Sequence, residues 1–430
     1  MTKYVIAGLG SVGRAFMRIA KQDGLFDDGE LWGIDFTDGG RDAWLALGGA
    51  PERFIQQAIT CDGFPQLLGF LEAGDFLFDF CAETANVDIY EFCLARDVHY
   101  LCTCDDSWPG NDSITSMHAH YARYQELREP AAGHASSVIQ IGMNPGMVSV
   151  FARRALRDIV AAQETDFVRE HAQQLSALLA AGRDGEAAQL LGVERIEISD
   201  IDVTVINDCI DPTAVYSTWN VGAFCIEYLE LPFVSLGTHL DVDAMAGELK
   251  MYDSNDGFAV MGSMVERETQ APFGSFRGMV ISHEEVISMG DFFSVRDDAG
   301  KLLYKPSVYF VYKPSDAAAG SVHLMVARGE RMPNKTILIT RDRMAFGGEA
   351  VGIVLRGREF PDRYVGNYLD LADTVVDNPT IMQVAAPSYA AFKYMKAHPR
   401  EGLLFPENLD PNEMMEYALP YFKRYDSFSF

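Results

Sequence analysis

Short apolar runs alternate with segments of helical period along the first third of the chain. Residues 4–7 form an apolar run rich in β-branched side chains, which predicts a buried strand. Residues 14–20 place apolar side chains at helical spacing, and a second apolar run over residues 31–34 predicts another strand. The chain therefore begins with a strand, a helix and a strand.

The same alternation continues to about residue 145. Strands are predicted at residues 76–82, 98–103 and 137–142, and helices at residues 87–97 and 121–128. Strands that alternate with helices favour a parallel sheet covered by helices on both faces. We therefore predict the α/β fold class, with a Rossmann-type, doubly wound parallel sheet in residues 1–145.

The pattern changes after this point. Helices are predicted at residues 147–162 and within 166–191, and residues 196–203 alternate apolar and polar side chains as a half-buried strand does. Further strand candidates are residues 279–282, 307–312, 322–326 and 335–340. We predict a second, α+β domain over residues 146–385, on a mainly antiparallel sheet that could pair with a second subunit. Residues 386–430 are expected to form a tail that packs back on the first domain.

Composition narrows the functional class. The formal net charge of -27 argues against nucleic acid as a partner and is compatible with a cationic small molecule. No apolar run approaches the roughly 20 residues that a membrane span requires, so no membrane partner is expected. The seven scattered cysteines indicate reduced thiols, and no metal site is predicted. Because the N-terminus also lacks a signal-type apolar segment, the sequence predicts a cytoplasmic protein.

A glycine motif joins the first strand to the first helix. Gly8 permits a tight turn, Gly10 allows the backbone to approach a pyrophosphate, and Gly13 allows close packing of helix and strand. The helix N-terminus then attracts the phosphate charge. Asp35 ends the second strand, where it would bind the ribose hydroxyls and repel a 2′-phosphate, so NAD is favoured over NADP. The predicted cofactor-binding residues are Gly8, Gly10, Ser11, Val12, Gly13 and Asp35.

Polar groups follow the predicted strands of the first domain. Glu83, Asp105 with Asp106, and Asn144 come directly after three of these strands. Ligands of doubly wound sheets bind beyond the carboxyl ends of the strands, so these groups should converge with the glycine motif. Carboxylates that meet in one place could pair with a buried ammonium group.

The second domain offers further candidates. Trp219 could hold a cation against its ring, and Glu227 follows eight residues later, about two turns away if this stretch is helical. His239 and His283 are candidates for proton transfer. On a strand, His283 and Glu285 would point to the same face. Such a pair would make the histidine more basic.

Several motifs occur together and in order: residues 8–14, 34–35, 144–149, 218–219 with Glu227, 237–239, 282–288 and 306–309. They resemble those of bacterial homospermidine synthase, within the saccharopine-dehydrogenase-like group. The resemblance runs to about residue 357. The segments Asn-Pro-Gly-Met-Val-Ser and Thr-Trp followed by the glutamate make it specific.

The resemblance implies a Rossmann domain with tightly held NAD and a second domain that encloses the substrate and dimerises. In such enzymes NAD takes a hydride from a carbon beside an amine of putrescine, giving an imine. Loss of ammonia and attack by a second putrescine give a new Schiff base, which the stored hydride reduces to homospermidine. The implied activity is NAD-dependent aminobutyl transfer between diamines.

The same resemblance implies roles for individual residues. Trp219 would hold the ammonium or iminium, Glu227 would anchor the distal amine, and Asn144 would position the reactant and the nicotinamide. His283, with Glu285, would line the polyamine channel or move protons.

Four acids depart from the family pattern. Glu83 and Glu349 stand where the family has aspartate, whereas Asp106 and Asp200 stand where it has glutamate. We expect Asp200 among the catalytic groups and Glu83, Asp106 and Glu349 among the substrate-binding groups. Each exchange keeps the charge and moves a carboxylate by one methylene, so a polyamine-type ligand fits while its chain length stays open.

Two alternatives remain at this stage. A carboxynorspermidine or saccharopine dehydrogenase-type NAD(P)-dependent reductase must hold an α-carboxylate, which needs arginine or lysine, whereas the motifs here are acidic and aromatic. A non-enzymatic NAD-sensing or scaffold dimer would have an incomplete active site, whereas Trp219, Glu227 and His283 occur together.

Overall fold

The computed structural model describes residues 1–110, 116–207, 209–374 and 376–430, which form two compact units. Unit 1 comprises residues 1–147 and 381–421, and unit 2 comprises residues 148–380 and 422–430. These limits lie near the division predicted at residues 145 and 385. The tail expected at residues 386–430 is divided between the units: its first part belongs to unit 1, and its last nine residues belong to unit 2.

The first part of unit 1 alternates strands and helices as the apolar pattern predicts. Its elements are β1 (Thr2–Ala7), α1 (Ser11–Gln22), β2 (Gly29–Ile34), α2 (Asp38–Ala46), β3 (Phe54–Ile55), α3 (Phe64–Leu67), β4 (Phe76–Asp79), α4 (Asn86–Leu94), β5 (His99–Cys102), α5 (Ser116–Ala131) and β6 (Ser137–Val138). β4, β5 and β6 are fully buried because they lie inside the sheet and are covered by helices, whereas β2 and the edge strand β3 are mostly half-buried.

The chain then enters unit 2 through a helix that begins at Met147. The elements up to the return are α6 (Met147–Ala162), α7 (Asp166–Ala180), α8 (Asp184–Leu190), β7 (Val193–Asp202), β8 (Val205–Ile206), β9 (Val215–Ser217), α9 (Val221–Leu229), β10 (Phe233–Ser235), β11 (Leu249–Tyr252), β12 (Phe258–Met261), β13 (Glu266–Ala271), β14 (Gly274–Ile281), α10 (Glu285–Phe292), β15 (Val295–Arg296), β16 (Leu302–Tyr304), β17 (Ser307–Lys313), α11 (Asp316–Ala327), β18 (Thr336–Leu338), β19 (Met344–Phe346), β20 (Gly348–Gly357) and β21 (Arg363–Asp370).

The last segment contributes to both units. Its elements are α12 (Pro379–Ala397), β22 (Leu403–Leu404), α13 (Pro411–Ala418) and β23 (Arg424–Ser429). β22 pairs with β6 in unit 1, whereas β23 pairs with β21 in unit 2. In the described part of the chain, every helix is too short or too polar to cross a lipid bilayer.

The sheet of unit 1 is doubly wound. Within the described residues its seven strands lie in the order β22-β6-β5-β4-β1-β2-β3, and neighbouring strands run parallel. The chain builds outward from β1 in one direction and from β4 in the other, which creates a topological switch point between these two strands. This confirms the predicted Rossmann-type fold class, and it places the glycine motif where such sheets bind ligands.

The main sheet of unit 2 is mostly antiparallel, as predicted. Among the described strands its central path is β11-β12-β10-β17-β7-β20-β21-β23, with β14 also paired to β17 and β13 paired to β14. β7 and β17 run parallel, and β7 and β20 run antiparallel over almost their whole lengths. These three central strands carry several acids of the candidate site.

The strand predicted at residues 322–326 is wrong, because this segment lies within α11. Ser315 caps the helix by accepting a hydrogen bond from the backbone N–H of Ala318, which starts a helical turn. Ala318, Val322 and Met325 are buried at helical spacing. The short apolar run is therefore one face of a helix, an ambiguity that periodicity over so few residues does not resolve.

Candidate active site

The glycine turn of unit 1 uses each of its three glycines differently. Gly8 has a φ of 81°, and a Cβ there would lie 2.7 Å from the Phe80 carbonyl group. A Cβ on Gly13 would lie 2.0 Å from the Gly8 oxygen, so helix α1 packs on the turn at glycine distance. A Cβ on Gly10 would meet nothing within 4 Å. Two glycines therefore make the turn tight, and the third leaves open space beside the backbone.

Asp35 connects this turn to the end of β2. Its Oδ2 accepts a hydrogen bond from the backbone N–H of Leu9 at 2.7 Å, and its Oδ1 accepts from the Thr37 N–H at 2.8 Å. Ser11 and Val12 form the first turn of α1, whose N-cap is Gly10. The turn thus combines open space, a helix N-terminus and a fixed carboxylate. These features fit the diphosphate and ribose of a dinucleotide.

The loops after β4 and β5 are tied to each other. The Glu83 backbone N–H donates to Asp106 Oδ2 at 2.6 Å, and the Asp106 N–H donates to Asn86 Oδ1 at 2.7 Å. The Asp106 carboxylate therefore already holds the neighbouring loop, whereas the Glu83 side chain is exposed. Asn144 is partly buried in the segment after β6. The substrate-binding roles expected for these residues stay predictions.

The structure brings together a Ser-His-Asp group that the sequence spacing does not reveal. His120 Nδ1 lies 3.2 Å from Asp105 Oδ2, and His120 Nε2 lies 3.3 Å from the Ser107 hydroxyl. The hydrogen bond to Asp105 raises the pKa of His120, while burial raises the pKa of Asp105. Ser107 is only 6 % exposed. These two contacts join α5 to the loop after β5.

The acids of unit 2 begin on the central sheet. Asp200 and Asp202 lie two residues apart on β7 and therefore share a face. Tyr312 of β17 pairs with Asp200, and Glu349 of β20 pairs with Asp202, so their side chains lie on this same face. All three carboxylates are at most 4 % exposed. Three neighbouring strands thus build one buried acidic floor.

The pKa values of this floor reflect its burial and its charge. Burial raises the pKa of Asp202 despite hydrogen bonds from Thr204 and Thr218. The pKa of Tyr312 lies well above its usual range because of burial and then of the negative charge of Asp200, Asp202 and Glu349. The tyrosine therefore stays neutral, and the floor keeps affinity for protons and other cations.

His283 and Glu285 also come together, although not as predicted. They do not lie on one strand: His283 follows the end of β14, and Glu285 is the first residue of α10. The turn between them brings Glu285 Oε2 into hydrogen-bond contact with His283 Nδ1, and Glu284 Oε2 lies 3.1 Å from the same nitrogen. Burial alone lowers the pKa of His283, but Glu285 and Glu284 outweigh it and raise the value to about 10.

Trp219 and Glu227 do not lie on the same helix, unlike the arrangement two helical turns apart that the sequence suggests. Trp219 precedes α9, because Asn220 caps the helix by accepting hydrogen bonds from the N–H groups of Gly222 and Ala223. Glu227 lies on α9, where burial and then neighbouring carboxylates raise its pKa to about 8, while His283 opposes the shift. Trp219 is partly buried, and its side chain forms a hydrogen bond with the Tyr312 hydroxyl of the acidic floor.

Several contacts join these residues into one cluster within unit 2. The His283 ring lies edge-on to Phe310 at 4.9 Å between centroids, and Phe310 lies 6.1 Å from Tyr312. Glu227 is influenced electrostatically by Asp200 as well as by the acids that begin α10. We call this set the acidic cluster, and it consists of Asp200, Asp202, Trp219, Glu227, His283, Glu284, Glu285, Tyr312 and Glu349. Sequence reasoning missed Glu284 and Tyr312; Tyr312 shares its strand face with the apolar Val308 and Phe310, so the alternation gave no sign of a polar site.

His239 lies apart from the acidic cluster. It is exposed beyond the end of β10, and the charges that act on it are those of Glu194, Arg195 and Arg358. Arg195 pairs with the first residue of β17, at the opposite end of β7 from Asp200. The structure therefore does not support proton transfer by His239 at the cluster.

The acidic cluster suits a primary ammonium group. A buried ammonium needs opposite charge and hydrogen-bond acceptors, which the carboxylates supply. An aromatic face adds an attraction of about 2 kcal/mol to a cation where water is excluded. The carboxyl of Glu227 and the imidazole of His283 can exchange protons with an amine held beside them.

Comparisons with known proteins agree with this description. Residues 4–138 match the family model of the saccharopine dehydrogenase NADP binding domain. The homospermidine synthase of Blastochloris viridis is 28% identical over 442 residues, which cover 97% of this chain and 89% of that protein. The homospermidine synthase of Mesorhizobium japonicum is 27% identical over 439 residues, which cover 97% of this chain and 88% of that protein.

A solved structure shows the same fold. The homospermidine synthase of Legionella pneumophila, determined in complex with NAD, superposes with a TM-score of 0.86 at 22% identity, covering 100% of this chain and 91% of that chain. Sequence and fold therefore confirm the resemblance to bacterial homospermidine synthase, within the saccharopine-dehydrogenase-like group.

Proposed function

We propose that this protein is an NAD-dependent aminobutyltransferase that converts putrescine into homospermidine and ammonia. The observation that carries the proposal is the acidic cluster of unit 2, which joins buried carboxylates to Trp219 as a diamine site requires. This cluster lies in a chain that resembles two homospermidine synthases over 97% of its length. The dinucleotide turn supplies the second part that such a reaction needs.

NAD fits unit 1 better than NADP does. When bound, NAD supplies a reversible acceptor for the hydride on a carbon beside an amine. The N-terminus of α1 would hold the diphosphate, and the space beside Gly10 admits it. Asp35 would accept hydrogen bonds from the ribose hydroxyls, and its charge would repel a 2′-phosphate. The family model that residues 4–138 match is named for NADP, so Asp35 is the feature of this chain that favours NAD.

The acidic cluster would bind the diamine by its charge. Trp219 would face one cationic nitrogen, and Glu227 would anchor the other end of the molecule. Asp200, Asp202 and Glu349 are each at most 4 % exposed, so their attraction is weakly screened by water. Because such carboxylates lose hydration on burial, an incoming dication recovers free energy that a neutral substrate does not.

Proton transfer can be assigned to two groups. The pKa of Glu227 is raised to about 8, chiefly by burial, so this carboxyl can both hold and release a proton near neutral pH. His283 is held between Glu284 and Glu285, which favours its protonated form. Glu227 is therefore the better acceptor of an ammonium proton, and His283 the better source of fixed positive charge.

The reductase alternative is less well supported. A carboxynorspermidine or saccharopine dehydrogenase-type enzyme must bind an α-carboxylate, and this group would be repelled by the acidic floor. His283 is positively charged, but two carboxylates already neutralise it. Reduction of an imino acid with NAD(P)H as a consumed substrate would instead favour this alternative.

The deciding experiment gives purified protein NAD and putrescine and measures three products. We expect homospermidine and ammonia in equal amounts, with no stoichiometric NADH, because the hydride returns to the product. Trp219→Ala should lower turnover at least about 30-fold. Phe273→Ala, which removes an exposed aromatic side chain of the same unit, should not. Stoichiometric NADH without homospermidine would show an ordinary dehydrogenase.

We further propose a homodimer in the cytoplasm. Edge strand β11 exposes the backbone and the side chains of Met251 and Tyr252, which supports pairing with a second subunit. Among the described residues no disulfide joins two cysteines, as is typical of a reducing compartment. Light scattering coupled to size-exclusion chromatography should give twice the 47.6 kDa chain mass, and a single chain mass would contradict the dimer.

A further inference from the structure

The start of α10 gathers one imidazole and two carboxylates. His283 Nδ1 lies 3.1 Å from Glu284 Oε2 and contacts Glu285 Oε2. One ligand atom from each residue lies within 4.8 Å of the others. Two ligands of a tetrahedral ion with bonds near 2.1 Å are separated by roughly 3.4 Å. His283 Nδ1 and Glu284 Oε2 are near this spacing, whereas Glu285 Oε2 would move away from Nδ1 to join them as a ligand. The sequence predicted no metal here, because these three residues match none of the usual metal motifs.

A second observation points to a cation at this place. Glu285 is 1 % exposed, and its Oε1 has no hydrogen-bond partner among the described residues. A buried carboxylate oxygen without a donor is costly, and a cation bound to the same carboxylate would remove that cost. Glu227 also acts electrostatically on His283, so the site has more negative charge than its three ligands alone supply.

We propose that His283, Glu284 and Glu285 bind one divalent transition-metal ion of the Zn²⁺ or Co²⁺ type. One nitrogen and two oxygen ligands suit these ions, whereas Mg²⁺ and Ca²⁺ prefer shells made of oxygen alone. The ion occupies the cluster that attracts ammonium groups, so it would exclude a cationic substrate; this consequence rests on the proposed function, whereas binding of the ion does not.

Binding can be tested without turnover, so the test does not depend on the proposed function. Cobalt chloride is titrated into the full-length protein while the visible absorption of Co²⁺ and the heat of binding are followed. We expect one ion per chain with the intense visible bands of tetrahedral cobalt. The near-ultraviolet bands of cobalt thiolates should be absent from this signal, because the site contains no cysteine.

Three variants decide the assignment. His283→Gln and Glu284→Gln should each weaken the cobalt affinity at least tenfold, and circular dichroism checks that they fold. Glu284 is the more accessible of the two, with 13% of its side chain exposed, so this variant keeps the test valid if His283→Gln is unstable. Glu52→Gln, an exposed control in unit 1 with the same change in charge, should bind as the wild type does. Equal affinity in wild type and Glu284→Gln would overturn the proposal.

Discussion

Replacing Asp35 by asparagine tests the cofactor site with the smallest change in shape. The carboxylate accepts hydrogen bonds from Leu9 N–H at 2.7 Å and from the Thr37 hydroxyl at 2.7 Å. Asparagine keeps the volume and one acceptor oxygen but removes the negative charge. Because each carboxylate oxygen accepts from a backbone N–H, the amide leaves one of these donors unpaired, so circular dichroism first checks that the variant folds. A folded variant should show weaker recognition of the ribose.

The magnitude follows from the hydrogen bonds that the charge strengthens. A hydrogen bond to a charged group contributes about 1.5–3 kcal/mol, and 1.4 kcal/mol corresponds to a factor of ten in affinity. Loss of one such bond should weaken NADH binding by about 10- to 100-fold. Binding of NADPH should improve, because its 2′-phosphate no longer meets a carboxylate. The ratio of the two affinities should thus change by more than either affinity alone.

Fluorescence titration with NADH and NADPH measures both affinities directly. Asp38→Asn is the matched control, because Asp38 lies three residues further on, in the first turn of α2, and the charge change is the same. This control should leave the ratio unaltered. If Asp35→Asn also left it unaltered, the carboxylate would not contact the ribose, and the assignment of NAD preference to Asp35 would be wrong.

Three further predictions concern the turn, the aromatic residue and a buried lysine. Gly13→Ala should lower the free energy of unfolding by about 1–3 kcal/mol through overpacking, whereas Gly10→Ala should leave this free energy unchanged and weaken NADH binding. Calorimetry measures the unfolding of each variant, and titration measures its affinity for NADH. Equal effects of the two substitutions on unfolding would contradict the different roles of these glycines. Trp219→Phe should retain part of kcat/KM for putrescine and Trp219→Ala should lose at least about 30-fold, the equivalent of 2 kcal/mol; equal losses would argue against a cation–π contact. Lys305 is 1 % exposed with its Nζ 3.7 Å from the Phe258 ring centroid, and burial lowers its pKa from 10.5 to about 8. Between pH 8 and 10.5 the lysine is protonated in the unfolded chain and neutral in the folded chain. The free energy of unfolding of the wild type, relative to that of Lys305→Met, should therefore rise with pH over this range by at most about 3 kcal/mol. If denaturant titrations showed no change in this difference with pH, the shifted pKa of Lys305 would be refuted.

The cofactor turn could be predicted from sequence because its determinants are local. Gly8, Gly10 and Gly13 act within one strand-turn-helix unit, and Asp35 ends the next strand of the same unit. The pattern of apolar runs likewise predicts the parallel sheet of unit 1, since its strands are short and the central strands β4 and β5 are fully buried. Local chemistry therefore sufficed for the part of the fold that binds a dinucleotide.

The acidic cluster could be predicted only in part. Asp200, Tyr312 and Glu349 meet through strand register over more than a hundred residues of separation, which no local pattern encodes. The sequence predicts that His283 and Glu285 lie together on one face of a strand. They do lie together, but the turn into α10 causes this and not the alternation of side chains along a strand. Glu284 contacts the same imidazole because the turn brings its side chain back beside His283.

The return of the chain to the first sheet has a consequence for synthesis on the ribosome. β22 covers the free edge of β6, but Leu403 leaves the ribosome about 260 residues after the strand that it pairs with. At roughly 5–20 residues per second, the nascent dinucleotide domain waits for about 13–50 s with an open strand edge. Prematurely terminated chains would keep that edge permanently, and such edges template aggregation. Chaperone capture of truncated products should therefore depend on whether residues 403 and 404 have been made.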